Sequence, residues 1–394
     1  MTEELARLLE DAADRPYDVR RVDAFADLAR RAEVGGEVEA AFNARLGLLD
    51  AAVMTNRFDV ALATFPRLLA DADAAPGRFA LENQLLLAFP MLLGGATSFP
   101  EIPLDRLDEL GEDFAHRAAA AGQHDSEIAG GLFRLAAATG DLSTAETLLR
   151  RMASPWGGHF AECPHCRLRH ELMLPWCQDD RDAVLGLVRR LIEDELRCVR
   201  FEFCGPREAL ILRPLALLAD AGEEPAAGDP LAEAVRHYRV AAAGLRSGPF
   251  WVVMPGLHLG FLARLVRRGG TAELSEPDAR QALRSLLIRC VSLLEGISPD
   301  NRMEFLTSAA PAIATLAERN DMPALRFPPN DPLTPRSGDA GRSDPAALIA
   351  AMDAEAESLA RAFDRRNGND FHLRHHRRQR AFAAGSAPDA PGLG

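Results

Sequence analysis

Apolar side chains recur with the period of an α-helix along nearly all of this chain. Between Glu37 and Met54 the apolar positions fall mostly on one stripe of a helix, namely Val38, Ala41, Phe42, Leu46, Leu48, Leu49 and Val53. The polar residues 56–59 interrupt the stripe, and a second apolar-periodic run covers residues 60–69. This arrangement predicts a helix hairpin.

The same pattern of paired runs returns three more times. The predicted pairs are 126–139 with 142–152, 164–176 with 181–196, and a pair that starts near residue 206 and returns through 230–243. The turns near Gly140, Asp179 and Ala221 are about 40 residues apart, a spacing typical of helical repeats. Each hairpin leaves an apolar face that only the next hairpin can cover. We therefore predict an all-α fold, a superhelical stack of antiparallel helix hairpins that forms an α-solenoid.

Two stretches rich in turn-forming residues break the pattern, and they set the predicted domain boundaries. Residues 94–103 indicate a connector, and residues 327–345 indicate a surface linker because of their Pro, Gly and Ser content. We predict a solenoid over 1–326 with an embedded cysteine-rich site at 159–204, a linker at 327–345, a C-terminal helix with a basic end at 346–380, and a disordered tail at 381–394. Pro66 and Pro90 fall inside apolar runs and predict kinks or breaks.

Composition narrows the classes of function. All 45 basic residues are arginine. The absence of lysine excludes proteins that need a lysine amine, namely enzymes with a lysine Schiff base, phosphate-loop proteins and kinases with a phosphate-binding lysine. The net charge of −13 argues against general nucleic-acid binding, since such proteins carry a basic surface. The acidic start at Met1 and the lack of a long uninterrupted apolar run lead us to expect a cytoplasmic protein without a membrane partner.

Four of the six cysteines have a spacing that suits one tetrahedral metal ion. Cys163 and Cys166 stand in the sequence Cys-Pro-His-Cys, and Cys198 and Cys204 follow after one predicted hairpin. The first two thiols lie at the entry of a helix, Cys198 lies where the returning helix ends, and Cys204 begins the next pair. The sequence therefore predicts a structural zinc site that joins two successive hairpins.

Other assignments of these thiols stay open. His159 or His165 could replace Cys204 as the fourth ligand. Cys-Pro-His-Cys is also the active-site sequence of oxidising thioredoxin-fold enzymes, although that fold needs a strand before the motif and none is predicted here. Cys177 and Cys290 lie inside apolar helical runs and are predicted to be buried thiols.

The segment 370–380 is rich in histidine and arginine and has two interpretations. Its arginines could bind nucleic acid or an acidic partner, with Phe371 stacking on a base. It could equally be the solvated basic end of a helix, where cations meet the negative pole of the helix dipole. His372, His375 and His376 belong to this segment. His258 is flanked by leucines and is predicted to be a core histidine.

Three stretches resemble tetratricopeptide-like helical-repeat proteins of actinobacteria whose role is unassigned. They are Cys163–Cys166 at the start of a helix, Cys198 followed by residues 213–218, and residues 359–368 with their Phe-Asp-Arg-Arg-Asn-Gly core. The turns at 56–61 and 140–145 are similar to the junctions of tetratricopeptide helices. The resemblance implies a helical scaffold and no substrate. The sequence departs from the family pattern at Phe203–Pro206, where a Glu-Pro pair is expected.

These observations favour a cytoplasmic protein-interaction scaffold with structural zinc, bound by another protein or peptide. The alternatives are a metal-dependent or thiol-active enzyme, and a nucleic-acid-associated regulator that uses the basic C-terminal segment. The acidic excess predicts that the concave surface binds a basic or amphipathic segment, which could be residues 365–380 of this same chain.

Overall fold

The computed structural model describes residues 2–79, 82–152, 164–178, 253–292, 294–334 and 344–384, with single positions between 180 and 239. Within these ranges the regular elements are α-helices, and the one β contact is an isolated bridge between Gly270 and Ser275. The all-α prediction is confirmed for the described part of the chain.

The described helices divide into two compact units. The first unit contains α1 (Glu3–Ala13), α2 (Val19–Val34), α3 (Val38–Met54), α4 (Phe58–Ala74), α5 (Glu82–Thr97), α6 (Leu104–Ala120), α7 (Asp125–Thr139) and α8 (Leu142–Met152). The second contains α9 (Pro164–Gln178), α10 (Val253–Arg267), α11 (Glu276–Val291), α12 (Pro299–Glu318), α13 (Pro345–Asn367) and α14 (Phe371–Ala384).

Local sequence signals place the helix ends. Asp18 accepts hydrogen bonds from the backbone N–H groups of Arg20 and Arg21 at the start of α2. His124 and Glu127 form a reciprocal capping box at the start of α7, and Gly140 ends that helix in the left-handed conformation at φ 78°. The predicted hairpin 126–139 with 142–152 corresponds to α7 and α8, which pack against each other.

In the first unit, three helical glycines each lie directly under a phenylalanine ring from the preceding helix. The pairs are Phe25 on Gly47, Phe58 on Gly95 and Phe114 on Gly131. A Cβ atom at any of these glycines would overlap the ring, so the missing side chain is what lets the helices approach.

The rings also contact one another across helices. Phe89 of α5 meets Phe65 of α4 edge-on at 4.8 Å between centroids, and it meets Phe114 of α6 edge-on at 5.5 Å. One aromatic row therefore joins α4, α5 and α6, and it ends on Gly131 of α7.

In the second unit, α12 is the central helix. It packs on α10, α13 and α14, and its side chains Phe305, Leu306, Ile313 and Leu316 are fully buried. Pro311 inside α12 leaves its carbonyl accepting from the Thr315 hydroxyl at 2.9 Å and from Arg267 of α10 at 3.3 Å. The Pro311 carbonyl is thus bound by a side chain of its own helix and by a side chain of a neighbouring helix.

The structure corrects several boundaries. α4 and α5 continue through Pro66 and Pro90, so neither proline breaks its helix. Residues 94–97 of the predicted connector belong to α5, because Gly95 packs on Phe58 instead of forming a turn. The predicted partner of α9 and the fourth hairpin lie mostly outside the described residues.

The C-terminal boundaries also differ from the prediction. Phe327 and Leu333 are buried in the core, so the described part of the 327–345 stretch is anchored and is not a surface linker. Residues 346–380 do not form one helix, because Gly368 at φ 68° ends α13 and the chain turns into α14. Residues 381–384 belong to α14, and the rest of the predicted tail lies outside the described residues.

Adjacent glycines in α5 provide a matched test of the packing. Gly95→Ala should lower the free energy of unfolding by about 1–3 kcal/mol, because the new methyl group overlaps the Phe58 ring. Gly94→Ala meets open space and should be neutral or stabilising by up to about 1 kcal/mol through helix propensity. Chemical denaturation of both variants measures the difference, and equal effects would contradict the ring-on-glycine contact.

Candidate functional site

The predicted zinc ligands fall at the edge of the described chain. Cys163, Cys198, Cys204 and the alternative ligand His159 lie outside the described residues. Cys166 and His165 lie in the first turn of α9, which begins at Pro164. Proline is favoured at the first helical position, so the Cys-Pro-His-Cys sequence does open a helix as predicted.

No group of three or more His, Cys, Asp or Glu side chains in the described ranges has the geometry to hold a metal ion. The ligand set predicted from sequence includes three residues beyond those ranges, so the zinc site stays a prediction.

Cys177 and Cys290 are buried in the second unit, as predicted. Burial raises the pKa of Cys290 to about 12, which keeps this thiol protonated and unreactive.

The Phe-Asp-Arg-Arg-Asn-Gly sequence forms the corner between α13 and α14. Phe363 is fully buried, and the Asp364 carboxylate accepts from the backbone N–H groups of His372 at 2.8 Å and Leu373 at 3.0 Å. Gly368 supplies the left-handed residue of the turn. The most distinctive sequence of the family resemblance therefore has a structural role, because each of these residues shapes one corner.

An aromatic cluster fills the inside of that corner. Phe371 is buried and stacks on His375 with 5.7 Å between ring centroids. His372 stacks on Phe363 at 4.8 Å and meets Phe371 edge-on at 5.1 Å. Since the Phe371 ring is buried among these contacts, the predicted stacking of Phe371 on a nucleic-acid base is wrong for this conformation.

His376 is buried and hydrogen-bonded to α12. Its Nδ1 lies 2.7 Å from the Thr307 hydroxyl, which donates its single proton to the Met303 carbonyl at 2.7 Å. The hydroxyl must then accept from Nδ1–H, so His376 carries its proton on Nδ1. Burial lowers the pKa of His376 and favours this neutral form.

Three arginines of α14 are paired with carboxylates. Arg374 pairs with Asp370 at 2.9 Å within the helix. Arg377 pairs with Glu357 at 2.7 Å, and Arg380 contacts Asp353 through two nitrogens at 2.7 and 3.0 Å. The segment is therefore docked on α13 through its charges and is not simply a solvated helix end.

A carboxylate pair on α12 faces the same corner. Asp300 and Glu304 are one helical turn apart, and Glu304 lies 3.7 Å from Nε2 of His375. Burial, followed by the charge of Glu304, raises the pKa of Asp300 to about 7 despite the opposing effect of Arg366. The spacing of four residues is a signal in the sequence, but nothing local indicates that α13 and α14 cover this pair.

Arg302 anchors the stretch that follows α12. Its guanidinium binds Asp331 at 2.7 and 3.0 Å and Glu355 of α13 at 2.5 and 3.2 Å, and the Asp331 side chain is almost fully buried. Removal of either carboxylate would leave a buried charge without part of its compensation. Sequence reasoning missed this cluster because its members are 29 and 53 residues apart.

His258 is a core residue, as predicted, but it is not satisfied by hydrogen bonds. It is fully buried, and neither ring nitrogen has a hydrogen-bond partner among the described residues. Its described ring contact is with Tyr238, edge-on at 5.4 Å. Burial lowers the pKa of His258 to about 3, so the imidazole is neutral in the folded chain.

No protein-family model matches this chain, and a search of curated proteins found no similar sequence. The likeness to tetratricopeptide-like proteins consequently stays a prediction. Among the described helices, none combines the length and the apolar character needed to cross a membrane.

The raised pKa of Asp300 predicts that replacing it by asparagine, its neutral isostere, stabilises the fold to an extent that depends on pH. An acid with a raised pKa in the folded state stabilises the fold below its unfolded pKa, and this contribution is lost as pH rises through about 7. Asp300→Asn should therefore be more stable than the wild type at pH 8, by about 1–2 kcal/mol after allowance for solvent screening. At pH 4 the difference should vanish.

Thermal unfolding of both proteins across this range measures the effect. Glu295→Gln removes an exposed carboxylate that precedes α12 and is the matched control, with no expected gain at pH 8. A gain for Asp300→Asn that is the same at every pH would contradict the assigned cause.

Proposed function

We propose that this protein is a protein-interaction scaffold built from stacked helix hairpins and stabilised by structural zinc. The observation that carries the proposal is the order of packing in the first unit. Each helix from α1 to α7 packs on the helix that follows it, and the next-but-one pairs α1 with α3, α3 with α5 and α5 with α7 also pack on each other. Such near-neighbour packing is the arrangement of helical-repeat proteins, whose extended surfaces bind other proteins.

Charge gives the scaffold a preferred class of partner. Residues 1–152 contain 26 acidic and 15 basic residues, so the first unit holds most of the net charge of −13. On α6 the exposed side chains Asp105, Asp108 and Glu112 lie near Asp141 at the start of α8. Burial and then the neighbouring charges of Glu112, Asp105 and Asp141 raise the pKa of Asp108, so like charges add to one another on this face. A basic protein segment fits this surface.

For the zinc ion we propose Cys163, Cys166, Cys198 and Cys204 as ligands, with His159 or His165 as alternatives to Cys204. Support comes from α9, whose first turn contains Cys166 and follows directly on Cys163. Two thiolates with two residues between them at a helix entry are a common half of a structural zinc site. The ion would add folding free energy by joining the segment before α9 to later residues.

Metal analysis tests the zinc proposal. The purified chain should contain about one zinc ion, and Cys163→Ser should lose it together with several degrees of thermal stability. Cys290→Ala is the control, because it removes a buried thiol distant in sequence from the cluster and should leave the zinc content unchanged. A metal-free native chain of full stability would refute the zinc site.

Binding of basic peptides tests the scaffold. The double variant Asp108→Asn with Glu112→Gln should bind basic helical peptides several-fold more weakly at low salt, because the local negative potential falls. Its stability should be unchanged or slightly higher, since a like-charge contact is removed.

Glu3→Gln with Glu10→Gln makes the same change in net charge on the exposed face of α1 and serves as the control. Fluorescence anisotropy with labelled peptides and their scrambled versions gives the affinities. Equal losses in both double variants, or equal binding of scrambled peptides, would show that only net charge is sensed and would refute a defined binding surface.

A further inference from the structure

The helix α14 is held to the second unit in a different way from the helix before it. α13 buries Leu348, Met352, Ala356, Ala360 and Phe363 in the core. The described buried side chains of α14 are instead Phe371, His372, His376 and Gln379, of which only Phe371 is apolar. Leu373 of α14 is partly buried and also packs against the core. Burial of apolar surface is the main source of adhesion between helices, and among the described side chains α14 buries less of it than α13 does.

Charge pairs supply much of the remaining attachment. Glu304 of α12 faces His375, and Glu357 and Asp353 of α13 face Arg377 and Arg380. The Arg377 side chain is 62% exposed, so water and salt screen its pair strongly. These carboxylates on α12 and α13, with Thr307 between them, form a surface that we call the α14 seat.

One contact opposes the docking. Arg380 lies near Arg267 of α10, and the like charge contributes to a lowered pKa of Arg267 after the larger effect of burial. α14 is joined to the body on its N-terminal side by the short turn at Gly368, and its release there would break the hydrogen bonds of Asp364 to the His372 and Leu373 amides and the stacking of His372 on Phe363. Elements with few apolar contacts and screened polar contacts are those that open first in folded proteins.

The α14 seat selects for a definite pattern of side chains. Histidine, histidine and glutamine occupy positions 372, 376 and 379, one helical stripe, and arginines occupy 377 and 380 beside it. An aromatic side chain precedes them at position 371. A helix from another protein with the same pattern would find acceptors for its arginines and a hydroxyl for its histidine.

We propose that α14 is a detachable helix and that its seat on α12 and α13 binds a basic amphipathic helix of a partner protein when α14 leaves. The chain's own helix then acts as an intramolecular competitor. The proposal concerns the second unit alone, and it holds or fails independently of peptide binding to the acidic face of α6.

Hydrogen exchange of the full-length wild-type chain is the first test. Backbone amides of α14 should exchange at least about tenfold faster than those of the buried face of α13, because only α14 opens locally. A rise in NaCl from about 0.05 M to about 0.5 M should speed the exchange of α14 several-fold and leave α13 unchanged. Equal protection of the two helices at both salt concentrations would overturn the proposal.

Competition by a peptide is the second test, and it uses a labelled peptide with the sequence of residues 369–384. The full-length variant Arg377→Gln with Arg380→Gln keeps the seat intact but weakens its own helix. It should bind the peptide about fivefold more tightly than the wild type, as expected for loss of two screened ion pairs in the competitor. A peptide with the same two replacements should bind weakly.

Arg374→Gln is the matched control, since Arg374 pairs with Asp370 of its own helix and does not touch the seat. This variant should bind the peptide as the wild type does. If the double variant has the circular dichroism of the wild type but does not bind the peptide, the proposal is overturned. If the double variant does not fold, α14 belongs to the cooperative core, and that outcome would overturn it as well.

Discussion

The close contact between a phenylalanine ring and a glycine backbone is the constraint on which the first unit depends. It recurs between α2 and α3, between α4 and α5, and between α6 and α7. In each case the missing side chain lets two helices approach and lets a large ring bury its surface. The aromatic row through Phe65, Phe89 and Phe114 then carries the packing from one pair to the next. Contacts between helices that are close in the chain thus hold the first unit together.

The second unit depends on α12 as a buried centre. The carbonyl of Pro311 in the middle of this helix accepts hydrogen bonds from Thr315 of the same helix and from Arg267 of α10, which ties α12 to α10. Arg302 at its start joins α12 to α13 and to the stretch after α12, and it does so by ion pairs in a largely buried position. Polar contacts thus determine where the C-terminal part of the chain lies on the apolar centre.

The two proposed binding surfaces are argued from an uneven distribution of charge and apolar surface. The first unit holds most of the acidic excess, and its α6 face raises the pKa of Asp108 through burial and repulsion. In the second unit the basic α14 lies against acidic side chains of α12 and α13. Binding of basic helical segments is a common explanation for both arrangements. The acidic surface of the first unit is exposed, whereas α14 covers the acidic surface of the second unit.

The sequence by itself determined the helical class, the limits of α7 and α8, the helix that starts at Cys-Pro-His-Cys, and the burial of Cys177, Cys290 and His258. These features depend on the helical period of apolar residues and on capping residues, which act over a few positions of the chain. The tertiary structure decided that Gly95 belongs to a helix, that Arg302 finds Asp331 and Glu355, and that residues 371–384 fold back on α12 and α13. These outcomes depend on contacts between residues far apart in the chain, because burial and charge pairing are properties of the packed helices and have no local signal in the sequence.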